Sequence, residues 1–160
     1  MKKLALFGGK KTRDEKFPRY PTITSDEKNA VLEVLDDGNL STFIASPGEN
    51  FLGGKKIKEF EDSFAKYTGS KFAISFNSAT SALHAAVVAV GVEPGQEVIV
   101  PPYTFTSTAT SVLMHNAIPI FSDVKDDTYC IDPNKLEQAL SSLTRAIIPV
   151  HLFGHPCDMD

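Results

Sequence analysis

The sequence predicts an α/β protein with three layers, in which a mostly parallel sheet carries helices on both of its faces. Short apolar runs typical of buried strands alternate along the chain with longer segments typical of helices. Such alternation requires right-handed crossover connections between parallel strands. No internal repeat or low-complexity segment interrupts the pattern.

The composition is that of a globular domain and argues against several classes of function. Of the 160 residues, 42% are hydrophobic and 22% are charged. The net charge of −4 disfavours nucleic acid as the main partner, because phosphate-backbone binding needs clustered Lys and Arg. Two cysteines and a charged N-terminus predict a cytoplasmic protein. The longest strongly apolar stretch, residues 82–92, is too short to span a bilayer, so no membrane role is expected.

Residues 1–23 are predicted to form an N-terminal arm and residues 24–160 a folded domain. The arm contains Gly8-Gly9 and is basic, and arms of this kind often pack on a partner subunit. Thr24-Ser25-Asp26-Glu27 matches a capping box, which predicts a helix that ends at Asp36-Asp37-Gly38.

Residues 39–54 are predicted to form a loop that folds over another part of the protein, since apolar side chains accompany its glycines. A second helix is predicted from Lys55 to Tyr67 and should cover a sheet. Its apolar face consists of Ile57, Phe60, Phe64 and Tyr67.

The segment with the clearest functional signal changes from strand to helix across a polar hinge. Residues 72–76 predict a buried strand, and residues 79–90 a buried helix that stops at Gly91. A helix that follows a strand directly presents its first unpaired N–H groups beyond the strand, where the helix dipole favours an anion. We therefore predict a phosphate seat at the hinge. An ordinary Ser/Thr N-cap is the alternative, because every such helix needs one.

A second candidate lies in the loop Pro101–Thr106, between a predicted strand at residues 97–100 and a predicted helix at residues 107–116. Open α/β sheets bind ligands in such loops at the ends of strands. One of the two aromatic residues, Tyr103 and Phe105, could stack on a planar ring. The alternative is that they cover the core.

The remaining pattern adds strands at residues 117–121 and 146–150, with a helix at 133–141 between them. The last ten residues include His151, His155 and Cys157, but a metal site is not expected there. The two histidines would share a face only on a helix, which Gly154 and Pro156 argue against. We interpret this stretch as a strand end that lines the same crevice as the other loops.

Three blocks of the sequence, at residues 77–83, 100–109 and 148–160, belong together in their order and spacing. They resemble the N-terminal half of the pyridoxal-phosphate-dependent sugar aminotransferases of the DegT/DnrJ/EryC1/StrS family. Residues 37–41 and 57–64 also resemble the family's opening. The resemblance implies the N-terminal part of the large domain of a fold-type I transferase, with the rest of that domain and a small domain beyond Asp160.

The resemblance also implies pyridoxal 5′-phosphate as the cofactor. In the family, the backbone amides that match Ala79 and Thr80 hold the cofactor phosphate, and the aromatic residue that matches Phe105 stacks on the pyridine ring. The family's Schiff-base Lys and the acidic partner of the pyridinium nitrogen are expected after Asp160. No catalytic residue is therefore assigned within the chain, which is expected to be inactive alone.

The implied reaction of the full-length protein moves an amino group from an amino-acid donor, typically glutamate, to a keto group on a nucleotide-linked sugar. Such reactions serve polysaccharide or antibiotic sugar biosynthesis, and family members are usually homodimers. The loop from Thr42 to Leu52 is longer than in many relatives, so no particular sugar is assigned. Two alternatives stay open: a sugar dehydratase of the same fold, with a His in place of the Schiff-base Lys, or a non-catalytic module that keeps a phosphate seat.

Overall fold

A computed structural model describes residues 3–43, 46–48 and 50–160 of the chain. The described chain divides into two compact units, the first ending at Lys58 and the second running from Glu59 to Asp160. The arm boundary predicted after residue 23 stays a prediction. Within the described ranges, no helix combines the length and the apolar character needed to cross a membrane.

The first unit contains a short 3-10 helix at Ala5–Phe7 and helix α1 at Ser25–Asp37. Thr24 caps α1: its Oγ1 accepts a hydrogen bond from the N–H of Asp26 at 3.2 Å, and the Glu27 carboxylate accepts one from the N–H of Thr24 at 2.6 Å. Gly38 ends the helix with a φ of 70°, in the left-handed region. The predicted capping box and the predicted stop are both confirmed.

The predicted loop at residues 39–54 lies partly outside the described residues, since Ile44, Ala45 and Glu49 are not among them. Its ends meet where Thr42 Oγ1 accepts a hydrogen bond from the N–H of Gly54 at 3.0 Å. A Cβ atom at Gly54 would lie 2.5 Å from the Thr42 side chain, so this approach requires glycine.

Helix α2 runs from Lys55 to Thr68, one residue past its predicted end, but its apolar face is largely exposed. Phe60 is 56% exposed and Tyr67 is 88% exposed. The prediction that this face covers a sheet is wrong for the described structure, in which the two faces of the central strand pack against other helices.

The second unit holds a parallel sheet of strands β1 at Glu97–Val100, β2 at Ile118–Phe121 and β3 at Thr144–Ile147, in the order β2-β1-β3. The prediction for β1 is confirmed at both ends, and that for β2 to within one residue. Strand β3 begins two residues earlier than predicted. The N–H of Ile148 still donates to the carbonyl of Ile99 at 2.8 Å, so the contact with β1 continues past its end.

Helices α3 at Ala79–Ala89, α4 at Ser107–Met114 and α5 at Pro133–Ala139 complete the layers. Alternate side chains of β1 enter two separate clusters. Val98 and Val100 pack with Val87 of α3 and Val112 of α4. Ile99 packs on the opposite face, in a cluster with Cys130, Ile131 and Cys157 and with Leu136 and Ala139 of α5 against it. The period-2 alternation of β1 therefore produces the three-layer α/β arrangement that the sequence predicts.

Residues 72–76 do not form the predicted buried strand. Phe72 is 75% exposed and Ile74 is 74% exposed, while the intervening Ala73 and Ser75 are half-buried. The segment keeps an alternation of exposure but pairs with no strand among the described residues. A strand needs hydrogen-bonding partners on a neighbouring strand. An apolar run in the sequence indicates the pattern but not the partner.

The prediction that α3 is buried all round is also wrong. Among the described residues of α3 only Val87 is fully buried, whereas Val88 is 46% exposed. The helix packs one face on α4 and β1 and leaves the other face open. Its stop at Gly91, with a φ of 82°, is confirmed.

Candidate functional site

The first turn of α3 is built by the hinge serines and asparagine. Ser78 has an extended backbone and is the N-cap, and its Oγ accepts a hydrogen bond from the N–H of Ser81 at 3.1 Å. Its carbonyl accepts from the N–H of Ala82 at 3.1 Å. Ser81 Oγ donates to Asn77 Oδ1 at 2.9 Å, which ties the hinge to the helix. The predicted N-cap is therefore present.

This capping leaves two backbone donors at the start of α3. The N–H groups of Ala79 and Thr80 have no acceptor among the described residues. No acidic side chain lies in the first turn of α3. Within α3 itself, no acidic side chain compensates the positive end of the helix dipole, which favours an anion, although the Glu61 carboxylate lines the same cleft as Ala79. The hinge was interpreted either as an N-cap or as a phosphate seat. One helical turn can serve as both.

Helices α3 and α4 run in the same direction, which brings their first turns to one edge of the sheet. Their C-terminal ends are joined where His115 Nε2 donates to the carbonyl of Val92 at 2.8 Å. The N–H of Gly95, two residues before β1, donates to the carbonyl of Asn116 at 2.8 Å. Both C-terminal ends therefore lie at the amino end of β1. Because the helices pack side by side, both N-termini lie toward its carboxyl end.

The loop that precedes α4 carries two aromatic side chains, Tyr103 and Phe105, at this edge of the sheet. Tyr103 pairs with Tyr129, with 5.5 Å between the ring centroids. Phe105 is 77% exposed. Its carbonyl accepts from the N–H of Thr108 at 3.1 Å, and Thr104 and Thr108 share a hydroxyl hydrogen bond at 2.8 Å, so the backbone around it is fixed. Of the two loop aromatics, Phe105 is the more exposed, since Tyr103 is 53% exposed and packs against Tyr129.

Phe105 lines a cavity of about 510 Å³ together with the segment that follows β3. The lining residues from that segment are Val150, His151, Leu152 and Phe153. The segment after β3 thus lines a cavity together with the loop before α4, which agrees with its interpretation as a strand end in the same crevice. Ala79 lines a different cleft, with Phe60, Glu61 and Ser75. The structure places Ala79 and Phe105 at the same edge but in separate clefts.

Cys157 anchors the segment after β3. Its backbone N–H donates to His151 Nδ1 at 3.0 Å, and its thiol donates to the carbonyl of Val150 at 3.1 Å. Burial raises the pKa of the Cys157 thiol, with the neighbouring Cys130 adding to the effect. A raised pKa keeps the thiol protonated and unreactive, so the structure supports a packing role for Cys157. Within the described ranges, no group of three or more His, Cys, Asp or Glu side chains could hold a metal ion.

Sequence reasoning placed His151 in a strand end that lines the crevice and weighed it as a metal ligand, but it missed the hydrogen bond from Cys157. The signal that could have found it is its position, four residues after a parallel strand, where polar side chains reach the ligand edge. The carboxylate of Glu61 was also missed. It accepts from the N–H and the hydroxyl of Ser75, and these bonds, the one from the N–H first, lower the pKa of Glu61.

Comparisons with known proteins agree with this architecture. GDP-perosamine synthase from Caulobacter vibrioides is 44% identical over 140 residues, which is 88% of this chain and 35% of that protein. The structure of 3-amino-5-hydroxybenzoic acid synthase superposes with a TM-score of 0.80 and 33% identity over 91% of this chain and 35% of its own. NtdA from Bacillus subtilis, solved with bound cofactor PMP, has a TM-score of 0.75 and 32% identity, over 94% of this chain and 34% of its own.

The chain thus spans about a third of the length of the curated relatives that it matches. A sequence profile of the DegT/DnrJ/EryC1/StrS aminotransferase family matches residues 21–160. This match covers nearly all of the chain, including the hinge, the aromatic loop and the segment after β3. The chain belongs to the DegT/DnrJ/EryC1/StrS aminotransferase family.

Proposed function

We propose that the chain is the N-terminal portion of a pyridoxal-phosphate-dependent aminotransferase that moves an amino group from glutamate to a keto group on a nucleotide-linked sugar. The observation that carries the proposal is the pair of unpartnered amides, Ala79 and Thr80, at the same sheet edge as the exposed ring of Phe105. One of the named relatives is a GDP-perosamine synthase and another was solved with bound PMP, which supports the same reaction class.

The donors and the ring suit the two parts of a phosphorylated planar cofactor, although Ala79 and Phe105 line separate clefts at the same edge of the sheet. Two free N–H donors at a helix N-terminus suit a phosphate monoester, and the side chain of Ala79 is small enough for close approach to the backbone. The two faces of the Phe105 ring are the right surface for a heteroaromatic ring, because aromatic rings stack at offset, face-to-face geometries. When bound, the cofactor supplies the electron sink that amino-group transfer requires.

The chain's own residues bind and orient in this proposal. The Ala79 and Thr80 amides hold the phosphate, and Phe105 fixes the plane of the ring. No lysine of the chain is assigned to bond covalently with the cofactor. We therefore expect the chain alone to be inactive. A homodimeric full-length protein in the cytoplasm remains part of the proposal.

The test uses pyridoxamine 5′-phosphate, which has no aldehyde and so does not react with surface lysines. Titration of the isotope-labelled chain should shift the amide NMR signals of Ala79 and Thr80 and the ring signals of Phe105. Pyridoxamine, which lacks the phosphate, should leave the two amide signals in place. Absence of the amide shifts at millimolar probe would overturn the proposed site.

The substitution Ala79→Pro removes one of the two proposed phosphate donors, the backbone N–H of residue 79, and can be tested in the same titration. Proline is tolerated at the first position of a helix, and Ser78 before it already has the extended backbone, φ −159° and ψ 155°, that a residue before proline needs. The variant should fold and lose one phosphate donor, with binding weakened at least about fivefold. Ala79→Gly keeps the N–H and serves as the control. Equal binding by Ala79→Pro would contradict the role of this amide.

The coding sequence beyond Asp160 tests the reaction. A Ser-rich segment with a Lys, after an acidic residue in a strand, is expected for the aminotransferase. A His in place of that Lys would favour the dehydratase, and a stop codon at this point would favour a non-catalytic module.

A further inference from the structure

His151 has one ring nitrogen engaged by the fold. The backbone N–H of Cys157 donates to His151 Nδ1 at 3.0 Å. A backbone amide only donates, so Nδ1 must act as the acceptor and carries no proton in this arrangement. The proton of the neutral ring is therefore on Nε2, which is left as a donor.

The position of the ring is held by buried and constrained neighbours. Cys157 is 5% exposed, and its thiol is bonded to the carbonyl of Val150 at 3.1 Å. Phe153 has a φ of 50°, in the left-handed region that non-glycine residues seldom occupy. Such backbone outliers persist where the surrounding structure over-determines them, and they cluster at ligand sites. His151 is thus a pre-oriented donor on a tight turn.

The His151 side chain shares a cavity with the aromatic ring that the proposed function assigns to the cofactor. His151 and Phe105 line the same cavity of about 510 Å³. Most of the other lining side chains are apolar or aromatic, and the cavity is open to solvent, since both His151 and Phe105 are exposed. Among such a lining, a polar group like that of His151 can fix the orientation of a ligand.

We infer that His151 donates a hydrogen bond through Nε2–H to an oxygen on the planar ring ligand that stacks on Phe105. The inference rests on the proposed function, because that function supplies the ring. His151 binds and orients the ring, and Cys157 acts through it as a positioning residue.

The tautomer can be tested in the free chain without a ligand. Long-range proton–nitrogen NMR spectra of the histidine rings separate a protonated ring nitrogen from an unprotonated one. In the neutral ring, Nδ1 of His151 should give the signal of an unprotonated acceptor and Nε2 that of an N–H. A protonated Nδ1 in the neutral ring would overturn the inference.

Two amide substitutions separate a ligand role from a structural one. His151→Gln places an amide N–H near the position of Nε2, whereas His151→Asn places an amide oxygen near that of Nδ1. Binding of pyridoxamine 5′-phosphate should be kept within about twofold in the Gln variant and weakened about fivefold in the Asn variant. A purely structural role predicts the reverse order. The amide signals of Val98, Ile99 and Val100 report whether each variant keeps the core.

The probe without a phosphate identifies the acceptor on the ligand. If His151 bonds an oxygen of the ring, His151→Asn should weaken pyridoxamine by the same factor as the phosphate ester. An effect limited to the ester would place the bond on the phosphate and overturn the inference. If both variants bind like the unsubstituted chain while Ala79 and Thr80 still shift, the inference fails and the proposed function stands. If the unsubstituted chain shows no shift at Ala79, Thr80 or Phe105, both fail.

Discussion

The carboxylate of Glu61 accepts two hydrogen bonds from Ser75, one from the backbone N–H at 2.7 Å and one from the hydroxyl at 2.8 Å. These bonds link α2 to residues 72–76, which have no strand partner among the described residues. Because both donors stabilise the ionised carboxylate, they lower the pKa of Glu61 from its ordinary value.

This lowered pKa predicts an acid-sensitive contribution to stability. A carboxyl group whose pKa is depressed on folding contributes stability above its unfolded pKa, of about 4.3, and loses it as the pH falls through the folded value. The difference in unfolding free energy between the unsubstituted chain and Glu61→Gln should therefore be largest at neutral pH. It should shrink below about pH 4.3, as measured by denaturant titrations at several pH values.

Ser75→Ala is the matched control for this pH dependence. It removes the hydroxyl donor and keeps the backbone N–H, so the pKa of Glu61 should move only part of the way back to its ordinary value. The difference in unfolding free energy between the unsubstituted chain and Glu61→Gln could instead stay constant from neutral to acid pH. That result would contradict its origin in the lowered pKa of Glu61.

The cap of α3 predicts a measurable loss of stability in Ser78→Ala. The substitution removes the acceptor of the Ser81 N–H and should lower the free energy of unfolding by about 1 kcal/mol. Ser81→Ala keeps that backbone donor and loses only hydroxyl contacts, so its effect should be smaller. Thermal or denaturant unfolding measures the stability of both variants. Equal losses of unfolding free energy would argue against the hydrogen bond of the N-cap as the main cause.

The core around β1 predicts different costs for the same substitution at two isoleucines. Ile99 is fully buried, and Ile99→Val should lower the free energy of unfolding by about 1 kcal/mol through loss of a packed methylene group. Ile147, its partner on β3, is 40% exposed, and Ile147→Val should cost less than about half as much. Denaturant unfolding of the two variants makes the comparison. Similar costs would contradict the assigned position of the core.

The exposed ring of Phe105 predicts a variant that separates binding from stability. Phe105→Ala should change the free energy of unfolding by less than about 0.5 kcal/mol, because the ring is 77% exposed. Loss of stacking should weaken pyridoxamine 5′-phosphate about fivefold. Phe72→Ala, at a ring that is 75% exposed in another part of the unit, is the control and should bind normally. If Phe105→Ala binds pyridoxamine 5′-phosphate as tightly as the unsubstituted chain, the proposed stacking of the ligand on Phe105 is wrong.

The two cysteines should be unreactive in the folded chain. Cys130 is 3% exposed and Cys157 is 5% exposed, and burial raises the pKa of the Cys157 thiol. Both thiols should react slowly with a chromogenic disulfide reagent at pH 8 and rapidly after denaturation. Fast reaction of one thiol in the folded chain would show that the segment after β3 opens readily.

Local patterns were sufficient for the elements whose ends are set by neighbouring residues. The capping box at Thr24, the αL glycines at Gly38 and Gly91, and the apolar run of β1 all concern atoms a few residues apart. The match of three sequence blocks to the family was likewise sufficient to identify it, because a profile reads residue types in order. For the candidate site residues, Ala79, Thr80 and Phe105, the assigned roles stay predictions.

The sequence by itself determined the α/β class, most helix and strand positions and the family, because periodicity, capping and motif order are properties of the chain. Only the tertiary structure decided which segments pair and which side chains stay free. Residues 72–76 alternate in exposure like a strand but pair with no strand among the described residues, and Tyr103 packs against Tyr129 whereas Phe105 is 77% exposed. The contact between Cys157 and His151 joins residues six positions apart through a turn. The pairing of strands, the contacts of aromatic rings and the orientation of the His151 ring depend on distances in space. A local sequence pattern does not contain these distances.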